Sequence, residues 1–158
     1  MQGNPAVIAA LNDQYRRLMA VQEQAHQQEH WYESVKYKCI SNWFDCVETK
    51  GHERLIHPLM KRVNALGARL VSGYAFEPEV FDILDLERAC SSMLGHLDEL
   101  HAGFIAICNA AESSDDYVTE SMVWDMQTWV EKQQRKFRAR IEKIRLHSIK
   151  DFLQEKMG

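Results

Sequence analysis

Turn-formers are scarce. The 158 residues hold only three prolines and seven glycines, and no Asn-Gly or Asp-Gly pair occurs. That excludes a hairpin-rich β architecture, which needs such residues wherever the chain reverses. No apolar run reaches the roughly 18 to 20 residues of a membrane span. The start, Met1-Gln2-Gly3-Asn4-Pro5, has neither the basic opening nor the apolar stretch of a signal peptide, so a cytoplasmic protein is expected. Cys39, Cys46, Cys90 and Cys108 show no zinc-finger spacing and read as buried, reduced thiols. Cys39 and Cys46, seven apart, share a helix face and read as small core residues. A Gly-rich phosphate loop and a nucleophile elbow are both missing, which removes the commonest phosphotransfer and hydrolase signatures.

What is present is helical periodicity. With 46% apolar and 27% charged residues the chain is globular rather than disordered, and its length suits a single domain over residues 1–158. Asn4 and Pro5 cap a first helix that runs to about residue 35, with Val7, Ile8, Leu11, Tyr15, Leu18 and Met19 at helical spacing. A second helix is expected over about 40–70, carrying Trp43, Val47, Leu55, Leu59, Val63, Leu66 and Leu70. Gly51 and Pro58 cost it about 1 and 3 kcal/mol, and Pro58 cannot donate to Arg54, so a kink or interruption between Lys50 and Leu59 is expected. Residues 67–78, including Gly73, read as a long connection. Pro78 is expected to open a third helix to about 112, with Glu77 and Glu79 near its positive end. Ser113-Ser114-Asp115-Asp116 then breaks the chain before a fourth helix to about 145. Ser148 to Asp151 resembles a capping box before a short terminal helix, Ile149 to Met157.

Short links pair helices one with two and three with four, while the long middle connection lets helices two and three run parallel. The expected fold is all-α: a ferritin-like four-helix bundle with one long crossover and a short fifth helix.

Beyond this pattern, the sequence resembles bacterioferritin from end to end. Met1-Gln2-Gly3-Asn4-Pro5-Ala6-Val7-Ile8 with Leu11-Asn12 resembles the family's opening. Asp116-Tyr117-Val118 resembles the start of its fourth helix, and Ile149-Lys150-Asp151-Phe152-Leu153-Gln154 its fifth helix. The resemblance implies an iron-storage cage of 24 subunits, with haem between subunit pairs and a di-iron ferroxidase centre inside each bundle. Such a centre takes one Glu from each of two helices and a Glu-x-x-His pair from each of the other two. Carried over, the single glutamates fall on Leu18 and Leu97, and the helix-four pair on Val130 and Gln133. The helix-two pair falls on His52 and Leu55, in the register that aligns Arg62-Val63 and Gly67. All four carboxylates are replaced together, as when a charged centre becomes ordinary core. The haem-ligating methionine is replaced by Glu53, or by His52 without a gap. The seam around the porphyrin falls on Gln22 and His26, near Glu23, Lys50 and Arg54. Haem is therefore not expected; iron enters only as stored mineral.

Other constellations remain. His52 and Glu48, four apart, could hold one residual metal, and His26 and His30 could present two imidazoles to one ion. His101 reads as a core histidine bonded to Gln14 or Tyr15, sharing no clean face with His96. Lys132, Arg135, Lys136, Arg138, Arg140, Lys143, Arg145 and Lys150 face only Glu142 and Asp151 in their span. That stretch is a solvated helix face or a surface for an anionic partner. Two functions follow as expectations. One is a non-catalytic subunit of an iron-storage-type cage, forming a 24-mer or a two-fold dimer, alone or beside an active subunit. The other is a ferritin-fold binding or structural module that has left iron chemistry. No membrane role is expected.

Overall fold

The computed structural model describes residues 3–71 and 75–157, with the backbone alone for residue 157. Gly73 lies outside them. Among the described residues there is no strand, and no helix is long and apolar enough to cross a membrane.

Helix α1 spans Pro5–Ser34. The Asn4 side chain accepts from the Ala6 N–H at 2.8 Å, and Pro5 begins the helix, where its missing N–H costs nothing. Lys36, in the left-handed region at φ 71°, turns the chain back into α2, Lys38–Gly51. One π-helical turn follows, His52–Ile56, and then α3, His57–Ala65. The interruption expected at Gly51 and Pro58 is thus a change of hydrogen-bond ladder rather than a break. The His57 N–H reaches back five residues to the His52 carbonyl, immediately before the proline that has no N–H to give.

The core pattern explains why this turn is tolerated. Val47, Gly51, Leu55, Leu59 and Val63 are all buried and lie four apart. At about 100° per residue, each step of four drifts ~40° around a regular helix, or ~160° over four steps. A π-turn absorbs an extra residue and returns the stripe to the core. The rod ends at Ala65, earlier than residue 70, because Gly67 adopts φ 76° and the Ala68 N–H bonds the Val63 carbonyl.

The crossover can be followed by its bonds to α1. The Val71 N–H donates to Asn12, the Glu79 peptide pairs with Gln24, the Phe81 peptide pairs with Gln28, and the Tyr32 hydroxyl donates to the Asp82 carbonyl. From Asn12 to Tyr32 is about 30 Å of helix, so the connection traverses the bundle. Pro78 does not open the third helix. Residues 75–82 lie outside any helix, a 3-10 turn covers Ile83–Asp85, and α4 spans Leu86–Ser113.

Helix α5 spans Tyr117–Leu146, capped by Asp116, whose carboxylate accepts from the Thr119 N–H at 3.1 Å. The Ser148 hydroxyl accepts from the Asp151 N–H at 3.2 Å and starts α6, Ile149–Met157. Phe152 and Leu153 of α6 are buried, with Phe152 against Trp43 of α2. Gln14 of α1 meets Leu100 of α4, while Tyr32 lies at the α4 start; α4 therefore runs antiparallel to α1 and parallel to the α2–α3 rod.

Candidate functional site

Ferroxidase chemistry would sit at the centre of the bundle. Leu18 of α1, Leu55 of the π-turn, Leu97 of α4 and Val130 of α5 are each at most 1% exposed and belong to one continuous apolar core. Gln133, one turn beyond Val130, is buried too. Among the described residues the buried polar side chains are amides and hydroxyls only: Asn12, Gln14, Gln24, Gln28, Ser41, Thr119, Gln133 and Gln134. No buried carboxylate or imidazole is among them. A di-iron pair requires several converging hard oxygens and imidazoles to offset about four positive charges, and this donor set does not fit one.

His52 does not turn inward. It is exposed, as are Glu53 and Arg54, because the π-turn sends Leu55 and Ile56 to the core. Glu48 is directed to His26, with its Oε1 2.7 Å from Nδ1. The structure thus does not join His52 and Glu48. At the haem positions, exposed Glu53 lies 3.7 Å from Lys50, and Gln22 donates to the Val47 carbonyl at 3.3 Å. These are polar, charged surroundings for a porphyrin.

His101 bonds Glu131 of α5 at 3.1 Å, not Gln14 or Tyr15; the Gln14 amide donates to the Leu100 carbonyl at 2.7 Å instead. Burial holds the His96 ring below the usual histidine range, the Glu99 charge opposing, and its edge meets Phe76. The thiols divide as well: Cys90 is buried, Cys46 and Cys108 are half-buried, and Cys39 is exposed. The expectation of four buried thiols therefore holds for one.

Six cations of the basic stretch of α5 fall into three groups. Arg138 and Arg145 reach Asp98 and Glu87 of α4 at 3.5 and 2.9 Å. Arg140 lies between the rings of Trp43 and Phe137, at 4.6 and 4.7 Å from their centroids, and its Nη1 is buried without a hydrogen-bond partner. Lys132, Arg135 and Lys136 join Lys50 and Arg54 across the α2–α5 groove, a cavity of about 630 Å³ whose lining holds one acid, Asp125. Among the described residues Arg54, Lys132, Arg135 and Lys136 have no carboxylate within 4.0 Å. Spacing along α5 alone could not reveal this groove, since two of its cations come from the other helix.

The family model of the ferritin-like domain matches residues 8–147, which span all four long helices. The chain belongs to the ferritin-like family. No curated protein matches it. This ferritin-like protein keeps the family's helix order and crossover while its bundle centre is hydrocarbon.

Proposed function

We propose that this ferritin-like protein is a non-catalytic, bacterioferritin-like subunit of an iron-storage-type cage without a working di-iron ferroxidase site. The observation that carries the reading is the burial of Leu18, Leu55, Leu97 and Val130 together, in a core with no carboxylate or imidazole among the described residues. Fast oxidation needs two ferrous ions held close by bridging carboxylates, and hydrocarbon supplies no lone pair. The fold itself is retained, which suits a subunit kept for its shape and packing. A 24-subunit cage, alone or beside an active subunit, is the assembly proposed, with a dimer through α1 and α2 as the smaller form. Leu84 and Leu146 near one end of α5, and Tyr117, Val118 and Trp124 near the other, each at least 62% exposed, are apolar contacts that a cage would bury outside the α1–α2 face. A cytoplasmic location is part of the reading, supported by four free cysteines, the usage of a reducing compartment. Native mass with iron content of the purified protein tests the proposal. A cage that accumulates ferric mineral only when co-expressed with an active ferritin subunit is expected. A monomer at micromolar concentration overturns it.

The cationic α2–α5 groove favours a second reading, a module that binds an anionic partner. Five cations around one acid attract a polyanion with an affinity that falls as salt rises. Saturable binding of inorganic polyphosphate by an iron-free dimer, lost in Arg135→Glu with Lys136→Glu, would favour this reading over the cage.

A further inference from the structure

We propose that His26, Glu29 and His30 of α1 bind one divalent first-row transition-metal ion on the α1–α2 face, with Glu48 of α2 orienting His26. This site is separate from the bundle centre and its ferroxidase positions; it shares only His26 with the seam on which a haem would lie.

The helix supplies the geometry. Residues four apart stand one above the other on a face, and the His26 and His30 ring centroids are 4.3 Å apart. Glu29 reaches between them: its Oε2 lies 3.3 Å from His30 Nε2, and one ligand atom from each of His26, Glu29 and His30 lies within 4.8 Å of the others. An ion bound at ~2.0–2.2 Å holds tetrahedral ligand atoms about 3.4 Å apart, so the side chains must rotate to draw them together around it. The Glu29 side chain is 12% exposed while those of His26 and His30 are 43% and 59% exposed. The carboxylate thus forms the floor of a seat that is open in the single chain and lies at the seam of a dimer through α1 and α2, where water or the partner completes the coordination.

Glu48 settles which nitrogen is available. An ionised carboxylate only accepts, so the 2.7 Å contact makes His26 Nδ1 the donor and leaves the Nε2 lone pair for a metal. A carboxylate behind a ligating imidazole fixes its tautomer and orientation.

The surrounding charge points the same way. Glu33 of α1 and Asp45 of α2 lie near enough to Glu29 for their like charges to act on its carboxylate. Among the described residues no Lys or Arg lies within 4.0 Å of a Glu29, Glu33, Asp45 or Glu48 carboxylate. A bound cation would offset that uncompensated negative potential. Two imidazoles with a carboxylate select zinc, cobalt or nickel over calcium and magnesium, which require oxygen cages.

The test is titration of iron-free, metal-free assembled protein with Zn²⁺ by calorimetry, paralleled by Co²⁺ with visible absorption as the readout of nitrogen coordination. One ion per subunit is expected, with binding lost in His26→Ala/His30→Ala and weakened about 10- to 100-fold in Glu48→Gln. Leu18→Ala, which alters only the bundle centre, should leave it unchanged. Far-UV circular dichroism checks that each variant, the buried Leu18→Ala included, is folded. No saturable binding, or equal affinity in the double-histidine variant, overturns the proposal.

Discussion

The side-chain amide of Gln24 exchanges two hydrogen bonds with the peptide of Glu79, donating to its carbonyl at 2.6 Å and accepting from its N–H at 3.0 Å. Gln28 repeats the arrangement with Phe81 at 2.8 and 2.9 Å. Two side chains four apart on a helix are spaced about 6 Å along it, close to the rise of two residues of extended chain. A pair of glutamines thereby stands in for a neighbouring strand and fastens the crossover to α1.

Gln28→Ala should therefore destabilise the protein strongly, because it strands both the N–H and the carbonyl of Phe81 in a buried setting. A loss of about 2–4 kcal/mol is expected in denaturant unfolding, more than for Gln24→Ala, whose partner Glu79 is exposed. Hydrogen exchange should accelerate first at residues 79–82. Equal effects of the two variants, or protection retained at Phe81, would show that the amides are not the fastening.

These bonds also mark where the sequence was legible. Helices α1, α5 and α6 begin as expected because Asn4, Asp116 and Ser148 each act locally on their own chain. The start of α4 was not legible, since Pro78 opens a helix as readily in isolation as it accepts extended backbone. What decides is the partner offered by Gln24 and Gln28, about fifty residues away. The replaced centre was legible as a pattern of Leu and Val. The outward turn of His52 was not, because it depends on the π-turn phase at Leu55. The cationic groove unites residues from both sides of the α2–α5 interface, which periodicity along one helix cannot report, whereas the His26–His30 pair was legible from its spacing and only Glu29 and the Glu48 contact were not.

Arg62 of α3 binds Asp116 at 2.8 Å and the Thr119 hydroxyl at 2.8 Å, tying the rod to the start of α5. Burial alone would raise the Asp116 carboxyl, but hydrogen bonds from Thr119 and the Arg62 charge outweigh it and hold it below its ordinary 3.8. A depressed folded value means the stabilisation is complete above the unfolded value and is lost as pH falls through the folded one. Asp116→Asn should cost about 1–3 kcal/mol at pH 7 and flatten the loss of stability below about pH 4. Urea midpoints measured from pH 7 to pH 2.5 check this; an unchanged acid slope would contradict it.

Gly103 of α4 leaves room for the Gln14 amide, whose atoms occupy the place a Cβ would take. Gly103→Ala should force Gln14 off the Leu100 carbonyl and destabilise by about 1–3 kcal/mol, despite alanine's better helix propensity. Thermal unfolding gives the sign. Stabilisation would show that Gln14 moves without cost.

Burial pushes the Cys90 thiol up to about 12, with the Arg140 charge opposing and Glu87 reinforcing, whereas Cys39 is exposed. A disulfide reagent at pH 8 should label Cys39 in the native protein and Cys90 only after denaturation. Labelling of Cys90 in the native state, followed by peptide mapping, would contradict the packing of α4.

The bundle centre is proposed to lack ferroxidase activity. Ferrous iron should be added anaerobically to the purified, iron-free protein at two per subunit, then mixed with oxygen while ferric absorbance is followed by stopped flow. Leu18, Leu97 and Val130 offer no ligand atom and Gln133 only a neutral amide, so oxidation no faster than in buffer is predicted. A saturable fast phase with two irons per subunit would contradict it.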